Sequence, residues 1–200
     1  MNNSYKKISI STIFLILIGS LIFSYLLGTF LYRTPIKNKI DFFISTSYVE
    51  SEYFENIIGS IENVDKINII SRTTQNNYFE QALQTVGMYS DLIILSEKYL
   101  DTAEKIKSFS SIDLKYFEEY NLNTNDFELI IIDNKIYGIV VYNKDNNINL
   151  FKDKIVFEQE EKYILCVGKN TKNAIDTPTN EKETNNAFIA LMEILKNTPA

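Results

Sequence analysis

The chain has 200 residues with no His, no Trp and a single Cys. Its chemistry is therefore confined to carboxylates, hydroxyls, amides, lysines, two arginines and one thiol, Cys166. Without His there is no His general base and no His metal ligand, and one thiol cannot build a Cys-based zinc site. Four acids, Glu118, Glu119, Asp126 and Glu128, are close enough in sequence to consider as a general acid–base pair. No spacing fixes them on one face, and solvated acids are the expectation. Glu158, Glu160 and Glu161 read as a charge run on a surface turn. Cys166 lies within the apolar run Tyr163–Val167, which predicts a buried, inert thiol. Gly87 and Gly168 are isolated and form no phosphate-binding loop. These residues predict no catalytic site, and so no enzyme, no cofactor and no metal.

A second set of polar residues lies where apolar runs end. Ser45, Thr46 and Tyr48 follow one run, Arg72, Thr74 and Asn76 a second, and Ser96 and Glu97 a third. Ligands of open parallel sheets sit beyond the carboxyl ends of the strands. Hydroxyls, amides, a guanidinium and an aromatic face there would suit a small polar solute such as a sugar, and Arg72 could instead hold a carboxylate. Ser, Thr and Asn at these places also cap helices, and Ser51, Asn76 and Ser96 are expected to do so.

The elements that would position these residues alternate. Ile40–Ser45, Lys66–Ser71 and Asp91–Leu95 read as strands, and 51–61, 76–86 and 96–106 as helices with apolar residues at helical spacing. Three successive strand–helix units predict an α/β fold with a mainly parallel sheet flanked by helices. The strands are unbroken apolar runs, as expected for strands covered on both faces. The second half differs. Phe127–Ile132 and Ile136–Tyr142 flank Asp133-Asn134-Lys135 and predict a hairpin. After a polar stretch, Tyr163–Val167 is another buried-type strand. Residues 170–183 read as a loop and 183–195 as a closing amphipathic helix.

Residues 8–32 contain no charged side chain. As a helix they would span about 37 Å, enough to cross a bilayer with some tilt. Lys6 and Lys7 precede the stretch, and Arg33, Lys37 and Lys39 follow it. No small-x-small cleavage site stands out. The expectation is an uncleaved signal-anchor. Residues 1–7 would be cytoplasmic, 8–32 a single transmembrane helix, 33–39 a linker and 40–200 an extracellular domain at the cell membrane. Ser20, Ser24 and Gly28 recur every four residues, a stripe that would let two such helices pair in a homodimer. Residues 1–40 hold five Lys+Arg and no acid, which leaves 15 Lys+Arg against 26 Asp+Glu in the rest, a net charge of −11. An acidic domain is a poor nucleic-acid binder.

Three segments resemble a known family. Asp91-Leu92-Ile93-Ile94-Leu95-Ser96-Glu97-Lys98-Tyr99-Leu100 is similar to a strand followed by a small residue, an acid and a Tyr-Leu pair in extracellular solute-binding proteins of bacterial ABC importers. Asn134-Lys135-Ile136-Tyr137-Gly138-Ile139 is similar to the hairpin leading to their hinge, although Val140 stands where Pro is common. Tyr163-Ile164-Leu165-Cys166-Val167-Gly168-Lys169-Asn170 resembles their returning strand. The resemblance spans most of residues 40–197. It implies one lobe of the type II periplasmic-binding-protein fold. In that family a second lobe lies between hairpin and returning strand. Here only about 20 residues, 143–162, separate them. A closing two-lobed cleft is what buries a solute. The resemblance therefore implies a one-lobe accessory or interaction module beside ABC transporter subunits. The alternative is a sugar-type binding protein using one lobe or a homodimer.

Overall fold

The computed structural model describes residues 10–31, 35–75, 77–158, 161–175, 178 and 183–198, without the side chains of 10–13, 26–31 and 36. It contains two compact units, residues 1–34 and 35–200.

The first unit contains helix α1 (Ile10–Leu31), which carries no acidic residue in its first turn and no basic residue in its last. Its described side chains run from Phe14 to Tyr25 and are all exposed. The Ser20 hydroxyl turns back onto the helix and donates to the Leu17 carbonyl at 2.9 Å. Over the described residues no helix is long and apolar enough to cross a membrane. This corrects the expected transmembrane helix.

In the second unit a short 3-10 turn (Ile36–Asn38) leads into β1 (Lys39–Ile44), β2 (Tyr48–Val49), α2 (Ser51–Ile58), β3 (Lys66–Ser71), α3 (Phe79–Thr85) and β4 (Leu92–Ser96). Then follow α4 (Ala103–Ile106), α5 (Leu114–Glu119), β5 (Leu129–Ile132), β6 (Lys135–Asn143), β7 (Ile148–Asn149), β8 (Ile155–Val156), β9 (Tyr163–Val167) and α6 (Asn186–Lys196). The main sheet has the order β3-β1-β4-β9-β6-β5, with β7 on β6, while β2 and β8 form a separate ribbon.

The sheet is mixed, which corrects the mainly parallel expectation. β1 runs parallel to β3 and β4. β9 is antiparallel to β4 and to β6, and β6 is antiparallel to β5 and β7. Periodicity cannot read strand direction, because a strand covered on both faces is an apolar run in either direction. The hairpin does declare itself. Ile132 pairs with Lys135 across two residues, and Asp133 and Asn134 both have positive φ, 50° and 61°. That is the type I′ geometry which Asp and Asn tolerate.

Side chains alternate between two cores. Phe42, Ile44, Leu92, Ile94 and Leu165 pack on one face with Phe54 of α2, Phe117 of α5 and Phe188 of α6. Phe43, Ile93, Leu95, Ile164 and Cys166 pack on the other with Phe79, Leu100 and Phe109. Edge-to-face rings join the first core, Phe42 to Phe54 at 5.4 Å and Phe54 to Phe151 at 5.3 Å. Such pairs add about 0.5–1.5 kcal/mol beyond their buried area.

Helix boundaries differ from expectation where caps were misplaced. Glu50, not Ser51, occupies the cap position of α2, without a side-chain cap bond. Ser96 ends β4, and the chain enters a 3-10 turn, Glu97–Tyr99, instead of a long helix. Thr102 then caps the four-residue α4. Asp113 caps α5, a helix the periodicity did not suggest, by accepting from the Lys115 N–H at 2.9 Å.

Candidate functional site

The parallel strands β1, β3 and β4 end on one edge of the sheet. The Ser45 N–H donates to the Ile94 carbonyl at 2.9 Å, and the Arg72 N–H to the Ile44 carbonyl at 3.0 Å. β9 starts at the same edge, with Tyr163 opposite Ser96. The strand-end residues expected to bind a ligand therefore do converge, with one exception: Asn76 lies outside the described residues.

Most of them are engaged by the fold. Thr46 is buried and its hydroxyl donates to the Val156 carbonyl, which ties the β2–β8 ribbon to β1. Ser71 donates to the Thr46 carbonyl at 2.9 Å. Ser96 is buried and its hydroxyl oxygen accepts from the Lys98 N–H at 3.4 Å. Thr74 donates to Glu158 at 2.5 Å. Glu97 is exposed, with Lys162 Nζ at 3.7 Å. Ser45 is fully buried and its hydroxyl has no hydrogen-bond partner. Tyr48 is 53% exposed. Arg72 is exposed, and its guanidinium donates to the Ser71 carbonyl at 2.7 Å.

The structure adds residues that the linear pattern did not assign to this edge. Glu158 accepts from Thr73 at 3.2 Å as well as from Thr74. Lys98 pairs with Glu161 and lies 5.2 Å from the centre of the Tyr99 ring. Lys162 pairs with Glu128 at 2.9 Å. The Glu161 and Lys162 partners hold down a crossing segment whose Lys162 carbonyl accepts from the Glu97 N–H at 2.8 Å. Tyr163 is fully buried beside Phe157 and Tyr142, and its hydroxyl has no hydrogen-bond partner. Burial, then the Glu158 and Glu161 carboxylates, raise this phenol above its ordinary range. Glu158 and Glu161 were legible only as a charge run. Contacts to residues more than sixty positions away leave no trace in local spacing.

Two open grooves flank this edge, about 640 Å³ beside Ser96–Thr102 and about 560 Å³ beside Asn143–Asp145. Both are lined by Glu97, Glu161 and Lys162. Drug-sized ligand sites have similar volumes, but they are mostly apolar and enclosed. Here the walls are ion pairs made within the domain.

The acids considered for catalysis do not form a pair. Glu118 and Glu119 are exposed on α5, and Asp126 is exposed in a 3-10 turn. Glu128 is engaged by Lys162, whose hydrogen bond lowers its carboxyl below the usual range. Cys166 is buried, and burial pushes its thiol up to about 12. Among the described residues no three His, Cys, Asp or Glu side chains are grouped as metal ligands.

Comparison with known proteins returns no matching family, no matching curated protein and no matching solved structure.

Proposed function

We propose that residues 35–200 form a one-lobe relative of the extracellular solute-binding proteins of bacterial ABC importers, acting as an extracytoplasmic interaction module beside the importer and not as a stand-alone solute receptor. One observation carries the reading: the three segments with family resemblance lie on three adjacent strands, β4, β9 and β6, in that spatial order. The stretch between hairpin and returning strand folds onto this same domain. β7 pairs with β6, Phe151 enters the core beside Phe54, and β8 pairs with β2. Half of a cleft remains, and its polar side chains are largely spent on one another. The alternative is a sugar-type solute held on one lobe or across a homodimer. It is favoured by the buried, unpartnered hydroxyls of Ser45 and Tyr163.

Two measurements on the full-length chain separate these readings. An interaction module melts cooperatively with no response to sugars, oligosaccharides or amino acids, and co-purifies stoichiometrically with the importer's co-expressed membrane subunits. A solute at 100 times its dissociation constant stabilises its receptor by about 2.7 kcal/mol, several degrees for a domain of this size. A reproducible sugar shift of that size overturns the module reading in favour of the alternative. Absence of any complex with the co-expressed subunits overturns it outright.

A further inference from the structure

The bond set around Glu158 has the form of an occupied binding site. Its two carboxylate oxygens are divided between two adjacent hydroxyls at the end of β3, Oε1 with Thr73 at 3.2 Å and Oε2 with Thr74 at 2.5 Å. The next residue back, Arg72, is exposed. Its guanidinium donates to the neighbouring Ser71 carbonyl at 2.7 Å, and among the described residues no carboxylate pairs with it. Six lysines of the domain, Lys39, Lys98, Lys105, Lys107, Lys154 and Lys162, each face an acid. An exposed guanidinium thus stands next in sequence to two hydroxyls already arranged around a carboxylate.

We infer that Arg72, Thr73 and Thr74 form a carboxylate-binding seat that is self-occupied by Glu158, so that a carboxylate from outside binds only by displacing it. Hydroxyl and guanidinium donors in one short segment match the acceptor-only chemistry of an ionised carboxylate. Glu158 is held within the same chain and competes at a high effective concentration, which keeps the seat closed to weak external ligands. The incoming group is a free dicarboxylate or an acidic side chain of a protein partner. Both present the same chemistry. The seat does not depend on the importer association proposed above.

The test is a titration of the full-length chain with succinate and, separately, with a triglutamate peptide, read at the backbone amides of residues 71–75 by NMR at constant ionic strength. In Glu158→Ala, either probe should give saturable shifts with an apparent dissociation constant at least tenfold tighter than in the parent chain. Thr73→Val and Thr74→Val added to Glu158→Ala should abolish them. Saturation by succinate assigns the seat to a free carboxylate, and saturation by the peptide alone assigns it to a protein partner. Glu158→Gln keeps the side-chain length and takes the same readout where the alanine variant does not fold. No saturable response in either variant, an equal response in the parent chain, or a response that survives the double valine change overturns the inference.

Discussion

Gly168 lies against Ser90 so closely that a β-carbon on it would stand 2.0 Å from the Ser90 carbonyl oxygen. The Gly168 N–H also donates to the Asp91 carbonyl at 2.9 Å, so the backbone after β9 is clamped to the start of β4. The obstructing atom belongs to backbone and cannot swing aside. Gly168→Ala should cost at least the 1–3 kcal/mol typical of overpacking, roughly 4 °C or more in Tm. Thermal unfolding followed by circular dichroism checks this. An unchanged Tm would mean that the β4–β9 junction shifts freely.

Gly138 is a milder case. A β-carbon there would meet the Ile164 side chain at 2.6 Å and the Cys166 sulfur at 3.1 Å, both in the small core, and the Leu165 carbonyl oxygen only at 3.2 Å. Side chains yield more readily than a carbonyl. Gly138→Ala should therefore destabilise by about 1–2 kcal/mol, less than Gly168→Ala in the same assay. The reverse order would contradict the packing of β6 on β9.

Asp91 is buried at the opposite end of the sheet, and its carboxylate accepts from the Asp41 N–H at 2.8 Å and from Asn173 at 3.2 Å. Burial raises its pKa to about 6, against the hydrogen bonds from the Asp41 N–H and the Asn173 amide that hold it down. Below pH about 4 the folded and unfolded chains both carry the proton. Between about 4 and 6 the unfolded chain releases it while the folded chain keeps it, so Asp91 lowers stability as pH rises through that window and no further above it. The span of about two pKa units corresponds to roughly 3 kcal/mol. Asp91→Asn keeps an oxygen to accept from Asp41 and should gain on the parent chain by about that amount between pH 4 and 6.5 in urea titrations. A stability difference independent of pH would show that Asp91 titrates normally.

The Tyr163 hydroxyl is buried without a hydrogen-bond partner. Removing a polar atom that makes no bond in the fold loses nothing there and spares its desolvation. Tyr163→Phe should leave stability unchanged or raise it by up to about 1 kcal/mol. A loss of about 1 kcal/mol or more in denaturant titration would mean that the hydroxyl is bonded.

Cys166 is inward on β9 and 1% exposed. With its thiol raised to about 12, almost none is thiolate at pH 8. A disulfide-exchange reagent should label the native chain only as fast as it opens, and should label it at once in denaturant. Rapid native labelling would place Cys166 at the surface.

Residues 39–71, 92–96 and 163–167 show what local sequence determines by itself. β4 and β9 are apolar runs because both faces are covered, and β3, half-buried at the sheet's edge, begins and ends at Lys66 and Ser71 as its pattern indicates. The Asp133-Asn134 turn is equally local, since two positive-φ residues bend the chain whatever lies around them. α5 was not legible, because six residues capped by Asp113 are too few to show a helical period. Strand order was decided only by the tertiary structure. β9 enters between β4 and β6, which makes the sheet mixed, and no feature of Tyr163–Val167 states its direction. The partners at the strand ends belong to the same class. Thr74 and Glu158 are 84 positions apart, and in the sequence they read as a strand-end ligand donor and part of a surface charge run until closure of the chain brings them together. Burial pattern and turn conformation arise from neighbours along the chain and can be read there, whereas pairing across the sheet depends on which distant segments win the competition to cover one another's apolar faces.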